Sequence, residues 1–338
     1  MEGDRDMDTT TVLTPAVSLL GVRDLNIFFR SAAEPVNVVS NLNFDIKESE
    51  IFGLAGESGC GKSITALSIL GILPSSARAE GEITFKDKNL LTLDRESIRR
   101  IRGNEISMIF QEPMTSLNPV LTIGYQIAEV LMTHKALNKK DAMDKAVELL
   151  RSVRIPSPEL RAREYPHQMS GGMRQRVMIA MAIACNPALL IADEPTTALD
   201  VTIQAQILAL IQGLREEKKM SILFITHDLA IISENAARVG IMYAGRIMEL
   251  AETRDIFSNP RHPYTMGLLD SLPQQKGKNL KPIPGFVPRP EALPPGCKFS
   301  DRCSHVRDYC RQQEPQLSEI APRHFSRCIR AKEISWSF

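Results

Sequence analysis

The stretch that decides the fold is Ile51–Ser63, IFGLAGESGCGKS, in which a short apolar run leads into the pattern G-x-x-x-x-G-K-S. The residues that follow, Ile64–Leu70, are mostly apolar and predict a helix. A strand, a glycine-rich loop and a helix in this order are typical of a phosphate-binding loop. Its glycines let successive backbone N–H groups turn toward phosphate oxygens, and the helix adds the positive end of its dipole. This stretch therefore predicts a nucleoside triphosphate site.

The predicted loop assigns separate roles to its side chains. We expect Lys62 to place its ammonium against the β- and γ-phosphates and Ser63 to offer its hydroxyl to Mg²⁺. A glycine-rich turn before a helix is the alternative, but the full pattern with both flanks favours the phosphate loop. The predicted nucleotide contacts are Gly56, Glu57, Ser58, Gly59, Cys60, Gly61, Lys62 and Ser63.

Length and composition narrow the class of protein. The 338 residues suggest two domains, and the formal net charge of +1 gives no basic footprint for nucleic acid. No run approaches the roughly 18 apolar residues of a membrane span. The first residues are polar and acidic, unlike a signal peptide, and residues 1–16 are predicted to be a flexible tail. We expect a soluble, cytoplasmic chain whose membrane role comes through partners.

Acidic and polar residues follow two further apolar runs. Asp193 and Glu194 end the run Ala188–Ala192, and His227 follows Ser221–Thr226. The carboxyl ends of parallel strands meet at one edge of a sheet, where ligands bind. We expect Asp193 to support Mg²⁺, Glu194 to polarise water as a general base, and His227 to contact the γ-phosphate. A capping or core histidine is the alternative at position 227.

Three other positions are candidates that the residues alone leave open. Gln111 ends a predicted strand and either reaches Mg²⁺ and the attacking water or caps the strand. Ser170-Gly171-Gly172 opens a predicted helix and is either an anion site or an ordinary N-cap. Phe28 or Phe29 either stacks on a nucleotide base or packs at a sheet edge.

Taken in chain order, these motifs resemble those of ABC-type ATPases. Gly56–Ser63 resembles Walker A, Gln111 the Q-loop, Ser170-Gly171-Gly172 the signature, Leu189–Glu194 Walker B, Asp200 the D-loop and His227 the H-loop. The resemblance covers roughly residues 17–258 and implies an α/β P-loop NTPase fold. That fold has a parallel-sheet core, an antiparallel β subdomain and a helical subdomain at about residues 112–186. It also implies that Asp200 and Phe29 belong to the nucleotide site. The signature has Met169 and Met173 where many members have leucine and glutamine.

The last part of the chain resembles a narrower group. Asn259–Thr265, Pro284-Gly285 and Leu293–Phe299 are similar to the C-terminal extension of oligopeptide and dipeptide permease ATPases. Residues Gln111–Pro119, QEPMTSLNP, are similar to the same group. Residues 259–338 are predicted to form a small irregular C-terminal domain.

Four of the six cysteines crowd this extension. Cys297, Cys303, Cys310 and Cys328 are separated by five, six and seventeen residues, without C-x-x-C pairs. Four thiolates suit Zn²⁺ or an iron–sulfur cluster, and four free thiols are the third possibility. The resemblance favours a [4Fe–4S] cluster, with zinc as the alternative.

The resemblance implies an ATP-hydrolysing subunit of a bacterial importer of dipeptides or oligopeptides, at the cytoplasmic face of the inner membrane. It implies head-to-tail pairing with a homologous second ATPase, two membrane permease subunits and an extracytoplasmic peptide-binding protein. The alternative cargo is nickel or another small ligand. An ABC ATPase acting on DNA or ribosomes is disfavoured because the chain has one Walker A and no sustained heptads. An ATP-binding iron–sulfur sensor is disfavoured by intact Glu194 and His227.

Overall fold

The computed structural model describes residues 18–31, 34–197, 199–272 and 282–336. The predicted tail, residues 1–16, lies outside them. The strands are β1 (Ser18–Phe29), β2 (Val36–Lys47), β3 (Ile51–Ala55), β4 (Ala77–Phe85), β5 (Lys88–Asn89), β6 (Ile106–Ile109), β7 (Leu189–Asp193), β8 (Ser221–Thr226), β9 (Arg238–Tyr243), β10 (Arg246–Glu252), β11 (Ser318–Ala321) and β12 (His324–Ser326). The helices are α1 (Lys62–Ile69), α2 (Arg95–Ile101), α3 (Pro113–Ser116), α4 (Ile123–Lys135), α5 (Lys139–Ser152), α6 (Pro158–Arg161), α7 (Gly171–Ile183), α8 (Val201–Lys218), α9 (Leu229–Asn235), α10 (Thr253–Ser258), α11 (Pro263–Asp270) and α12 (Asp308–Gln312).

The core is an eight-stranded sheet in the order β11-β12-β10-β9-β3-β8-β7-β6. The strands from β9 to β6 are parallel to one another, whereas β10, β12 and β11 continue the sheet with antiparallel pairing. Every residue of β3, β6, β7 and β8 is buried. Their continuous apolar runs are what a parallel sheet covered on both faces requires. The carboxyl ends of β3, β6, β7 and β8 therefore share one edge, from which the candidate site is built.

A second, antiparallel sheet has the order β2-β1-β4-β5 and packs on the core. The rings of Phe44 in β2 and Phe52 in β3 stack with centroids 5.3 Å apart. Beside them, Arg238 of β9 donates from Nε to Glu50 at 2.7 Å and from Nη2 to Asp45 at 3.0 Å. An apolar contact and a half-buried ion pair thus join the two sheets. This arrangement confirms the predicted fold class.

The segment between β6 and β7 is helical and contains α3 to α7. Apolar residues recur along α5 with a spacing of three or four, and Ala142, Ala146, Leu149 and Leu150 are its buried face. The segment lies where the helical subdomain is predicted, although the domain boundaries stay predictions. In the described part of the chain, no helix is long and apolar enough to cross a membrane.

The C-terminal extension is attached to the core sheet. Strand β12 pairs with β10, with Glu249 opposite Ser326 and Leu250 opposite Phe325. The fully buried carboxylate of Glu249 contacts Nε2 of His324 at 2.7 Å and accepts the backbone N–H of His262 at 3.0 Å. A largely irregular segment is therefore fixed by a strand pairing and by a satisfied buried acid.

His262 predicts an acid-sensitive attachment. It caps the start of α11, where its Nδ1 accepts the N–H of Tyr264 at 3.0 Å, and its side chain is buried. Burial disfavours the imidazolium and lowers the pKa of His262 to about 3. Histidine in an unfolded chain titrates near pH 6.5. The stability that comes from keeping His262 neutral in the folded chain is therefore complete above that pH and is lost as the pH falls below it. Between pH 7.5 and pH 5 we expect a loss of about 2 kcal/mol in the free energy of unfolding.

The matched variant is His262→Asn, because asparagine also caps a helix but does not titrate. Urea unfolding at both pH values should show the acid loss in the wild type and a loss smaller by about 2 kcal/mol in the variant. Equal acid losses in the two proteins would contradict the assignment to His262.

Candidate nucleotide site

The phosphate loop connects β3 to α1 and owes its shape to close backbone packing. Gly56 has φ +152°, and a Cβ at this position would lie 2.1 Å from the carbonyl oxygen of Met242 in β9. Any larger residue would therefore push the loop off the sheet. The loop is closed at its far end by Gly61, φ +108°, which precedes the first residue of α1.

Lys62 is buried inside this loop, with 5% of its surface exposed. Its Nζ donates to the carbonyl oxygens of Gly56 at 2.7 Å and Glu57 at 3.0 Å. These contacts keep the ammonium beneath the loop backbone. The neighbouring thiol of Cys60 is also buried, and burial raises its pKa, so it contributes a neutral packing group.

A cleft of about 280 Å³ opens beside the loop. The structure brings these predicted site residues to its wall: Phe29, Ser58, Gly59, Gly61, Lys62, Ser63, Gln111 and Glu194. Sequence reasoning did not foresee the rest of the lining, which consists of Asn37, Val38, Ile64, Ala244, Gly245, Val287, Pro288, Pro290 and Leu293. Phe28, the other aromatic candidate, instead lies under the guanidinium of Arg78, 5.1 Å from the ring centroid. Four of the lining residues belong to the C-terminal extension, namely Val287, Pro288, Pro290 and Leu293.

Glu194 is held by three side chains at the end of β7. Its Oε2 accepts from Gln111 Nε2 at 3.0 Å and from Thr197 Oγ1 at 2.8 Å, and its Oε1 lies 2.9 Å from His227 Nδ1. Burial raises the pKa of this carboxyl, but the hydrogen bonds from His227 and Thr197 outweigh burial, and the net pKa is lowered. Glu194 also has a left-handed backbone, φ +46°, which is uncommon for a residue with a side chain.

The pKa of Asp193, one residue earlier, is shifted in the opposite direction. Asp193 is 3% exposed, and its pKa is raised by burial and by the like charge of Glu194. A hydrogen bond from the Ser63 hydroxyl lowers the pKa but does not reverse the net shift. Its Oδ1 is buried without a hydrogen-bond partner in the described chain. An orphaned carboxylate oxygen beside a hydroxyl is the hard oxygen set that suits Mg²⁺.

The contact between Glu194 and His227 restricts the histidine tautomer. An ionised carboxylate only accepts hydrogen bonds, so Nδ1 of His227 must carry the proton. In the neutral ring Nε2 is then an acceptor, and only the imidazolium offers a second N–H. The histidine side chain is 59% exposed, which leaves Nε2 accessible.

The remaining predicted residues lie elsewhere. The hydroxyl of Ser170 accepts the N–H of Met173 at 3.3 Å and caps α7, and Asp200 accepts the N–H of Ile203 at 2.9 Å and caps α8. The two caps are adjacent, since a Cβ on Gly172 would lie 3.0 Å from Ile203. Of the residues that the structure describes, those lining the cleft include none of Ser170, Gly171, Gly172 and Asp200.

Comparison with known proteins agrees with this geometry. Residues 39–197 match the family model of the ABC transporter, and residues 248–310 match that of the oligopeptide/dipeptide transporter C-terminal region. The chain is 51% identical over 320 residues to the oligopeptide transport ATP-binding protein AppD of Bacillus subtilis, covering 94% of this chain and 98% of that protein. It is 49% identical over 310 residues to the dipeptide transport ATP-binding protein DppD of Haemophilus influenzae, covering 91% and 94%. The chain belongs to the oligopeptide/dipeptide ABC transporter ATP-binding proteins.

A solved ATP-binding cassette has a similar fold. A dimeric ATP-binding cassette in a post-hydrolysis state, bound to ADP and phosphate, superposes with a TM-score of 0.62 at 28% identity. It covers 70% of this chain and 99% of its own. The protein is therefore an ABC ATPase, as the motifs predict.

The iron–sulfur prediction for this ABC ATPase is wrong, and zinc has no support either. Within the described ranges, no group of three or more His, Cys, Asp or Glu side chains is arranged to hold a metal ion. Cys297, Cys303, Cys310 and Cys328 border one small cavity of about 20 Å³. Burial raises the pKa of Cys303, that of Cys297 to about 11 and that of Cys328 to about 12. In the structure these three thiols are therefore neutral packing groups around the cavity.

Two residues of the extension contact the phosphate loop and were not predicted to do so. The backbone N–H of Glu57 donates to the hydroxyl of Tyr264 at 3.0 Å, and the Glu57 carboxylate accepts from Arg302. The segment Asn259–Thr265, which the sequence analysis singles out, contains Tyr264, but its pattern does not indicate what Tyr264 contacts. Nothing around Arg302 in the sequence indicates a contact 245 residues away.

The packing of Gly56 yields a paired prediction. Gly56→Ala should lower the free energy of unfolding by about 2–4 kcal/mol, because the methyl group meets a backbone carbonyl and the backbone is strained. Gly59→Ala is the control: φ is +78°, but no described atom lies within 4 Å of the added methyl. It should cost about 1 kcal/mol from strain alone. Urea unfolding of both variants measures the difference, and equal losses would disprove the steric explanation.

Proposed function

We propose that this chain is the ATP-hydrolysing subunit of a bacterial ABC importer of dipeptides and oligopeptides. The observation that carries hydrolysis is the carboxylate of Glu194, held by Gln111, Thr197 and His227 beside the phosphate loop. The peptide cargo is supported by the match of residues 248–310 to the oligopeptide/dipeptide transporter extension and by the names of the relatives. Those names favour peptides over the alternative cargo, nickel.

In this proposal the phosphate loop binds the triphosphate with its backbone N–H groups. Residues 56–63 supply these donors, and α1 adds its positive N-terminal end. Lys62 supplies a cation that already lies within the loop, and Phe29 at the cleft wall offers a ring face to the base. Phosphate binding then depends both on the backbone conformation of the loop and on the ammonium of Lys62.

Ser63, Asp193 and Gln111 would hold Mg²⁺. When bound, the ion neutralises charge that develops on the phosphate oxygens. The unpartnered Oδ1 of Asp193 supports this assignment, because a buried carboxylate oxygen without a donor needs a cation.

Glu194 would act as the general base toward water. Its lowered pKa keeps it ionised, and the donors from Gln111 and Thr197 orient it. Oε1 contacts only His227 among these three side chains, so it keeps a lone pair that can accept a hydrogen bond from water. His227 orients this oxygen, and its imidazolium form would reach a phosphate through Nε2–H.

The signature residues would act on a partner's nucleotide. Ser170 and Gly171 are exposed at the start of α7, and they do not line the cleft of their own chain, within the described residues. A helix N-terminus with bare N–H groups suits a γ-phosphate presented by another subunit. We therefore propose head-to-tail pairing with a homologous second ATPase, held by two membrane subunits at the cytoplasmic face and served by an extracytoplasmic peptide-binding protein. The solved dimeric cassette supports the pairing.

The test of the base is Glu194→Gln in the assembled transporter. The variant should bind ATP as the wild type does but lose roughly 10²–10⁴-fold in turnover, because the amide cannot accept the proton. ATPase assays in the presence of peptide-loaded binding protein measure the turnover, and equilibrium ATP binding is measured in parallel. Glu216→Gln, an exposed acid on α8, is the matched control and should have wild-type turnover. Near-normal turnover of Glu194→Gln would remove Glu194 as the base, and stimulation by nickel rather than peptide would overturn the cargo.

A further inference from the structure

The C-terminal extension reaches the phosphate loop through one buried arginine. Arg302 donates from Nη1 to Oε2 of Glu57 at 2.7 Å and from Nη2 to Oε1 at 2.9 Å. Glu57 is the residue directly after Gly56, and its backbone N–H is bonded to the Tyr264 hydroxyl at 3.0 Å. Both the side chain and the backbone of this loop residue are therefore held by the extension. A bidentate, charge-assisted pair fixes orientation as well as distance.

Arg302 is itself rigidly placed. Its side chain is 5% exposed, and its guanidinium lies 5.6 Å from the ring centroid of Tyr243 and 6.0 Å from that of Phe299. Tyr243 is the last residue of β9, next to the strand residue that abuts Gly56. The hydrogen bonds that Arg302 donates to Glu57 hold the pKa of Arg302 above its ordinary value, so it stays charged. The arginine of this pair is thus buried, whereas the Glu57 side chain is 31% exposed.

The same guanidinium also holds the outer wall of the cleft. Its Nε donates to the carbonyl of Pro284 at 2.8 Å, and Nη2 reaches that of Gly285 at 3.3 Å. This turn leads directly into Val287, Pro288, Pro290 and Leu293, which line the cleft together with the phosphate loop. The Arg302 side chain thus bonds both to the phosphate loop and to the turn that leads into four residues of the cleft wall.

We propose that Arg302 is a positioning residue for ATP, which sets the phosphate loop through Glu57 and the Val287–Leu293 wall through Pro284 and Gly285. The extension is then part of the nucleotide site. Arg302 touches no reacting atom, so its loss should weaken the binding of ATP more than the chemical step. The inference rests on the proposed function of the phosphate loop as the ATP site.

The experiment compares variants of the full chain. Arg302→Gln should raise the ATP dissociation constant about tenfold and raise KM for ATP similarly in the assembled transporter, with kcat within about twofold of wild type. Arg302→Lys keeps the charge but not the two-pronged geometry and should give an intermediate loss of about threefold. Glu57→Gln combined with Arg302→Gln should bind ATP no more weakly than Arg302→Gln alone, because the two residues act as one unit.

The matched control is Arg311→Gln. Arg311 is in the same extension and pairs with Asp301, but both side chains are about half exposed, so ATP binding should be unchanged. If Arg302→Gln does not fold, the dissociation constant and KM of Arg302→Lys provide the test. Wild-type dissociation constant and KM in a folded Arg302 variant would overturn the inference, as would a fall in kcat at unchanged KM.

Lys62→Ala separates this inference from the proposal beneath it. If Lys62→Ala binds ATP as the wild type does, the phosphate loop is not the ATP site, and both proposals fail. If Lys62→Ala loses ATP binding while the Arg302 variants keep it, the loop is the site and only the role of Arg302 is disproved.

Discussion

The rest of the site depends on the close approach of the phosphate loop to β9. Gly56 passes so near the carbonyl of Met242 that no side chain fits between them. This contact fixes where the loop leaves β3, and hence where Lys62, Ser63 and the first turn of α1 lie. Because β9 also carries Tyr243, which packs under Arg302, the same strand sets the position of the extension. Strand β9 therefore contacts both the phosphate loop and the C-terminal extension, which are distant in sequence.

Two adjacent carboxyl groups at the end of β7 are given different chemistry by their surroundings. Burial and a neighbouring charge raise the pKa of Asp193, whereas side-chain donors lower that of Glu194. The left-handed backbone at Glu194 turns the chain between them, so that one side chain is buried by Ser63 and the other joins Gln111 and His227. Pairs of acids whose pKa values are pushed apart are typical of divided roles. Here the division suits a cation for Asp193 and water for Glu194.

Local patterns predicted the core strands and the strand ends from which Gln111, Glu194 and His227 meet. The apolar runs of β3, β7 and β8 are continuous because both faces are covered, and the polar residues that end β6, β7 and β8 meet because the strands are parallel. Periodicity could not reveal Thr197 or Arg302, since each depends on a contact that only the folded chain makes. The cysteine prediction failed for a related reason. Spacing along the chain does not say how the folded chain arranges the side chains, and among the described residues no group of three or more His, Cys, Asp or Glu is placed to hold a metal ion.

The extension is ordered by what it contacts in the ATPase core. Its segment contains little regular structure, and much of its order comes from contacts with the core. It is joined to the core by β12 on β10, by the hydrogen bonds around Glu249 and by Arg302 on Glu57. The first two attachments are to a sheet strand, but the third is to the glycine-rich loop that we propose to hold phosphate. Any shift of that loop must therefore either carry the Pro284–Gly285 turn with it or break the bidentate pair and leave the buried charge of Arg302 without its partner, and the second is costly. The extension and the phosphate loop are thus expected to move as one body.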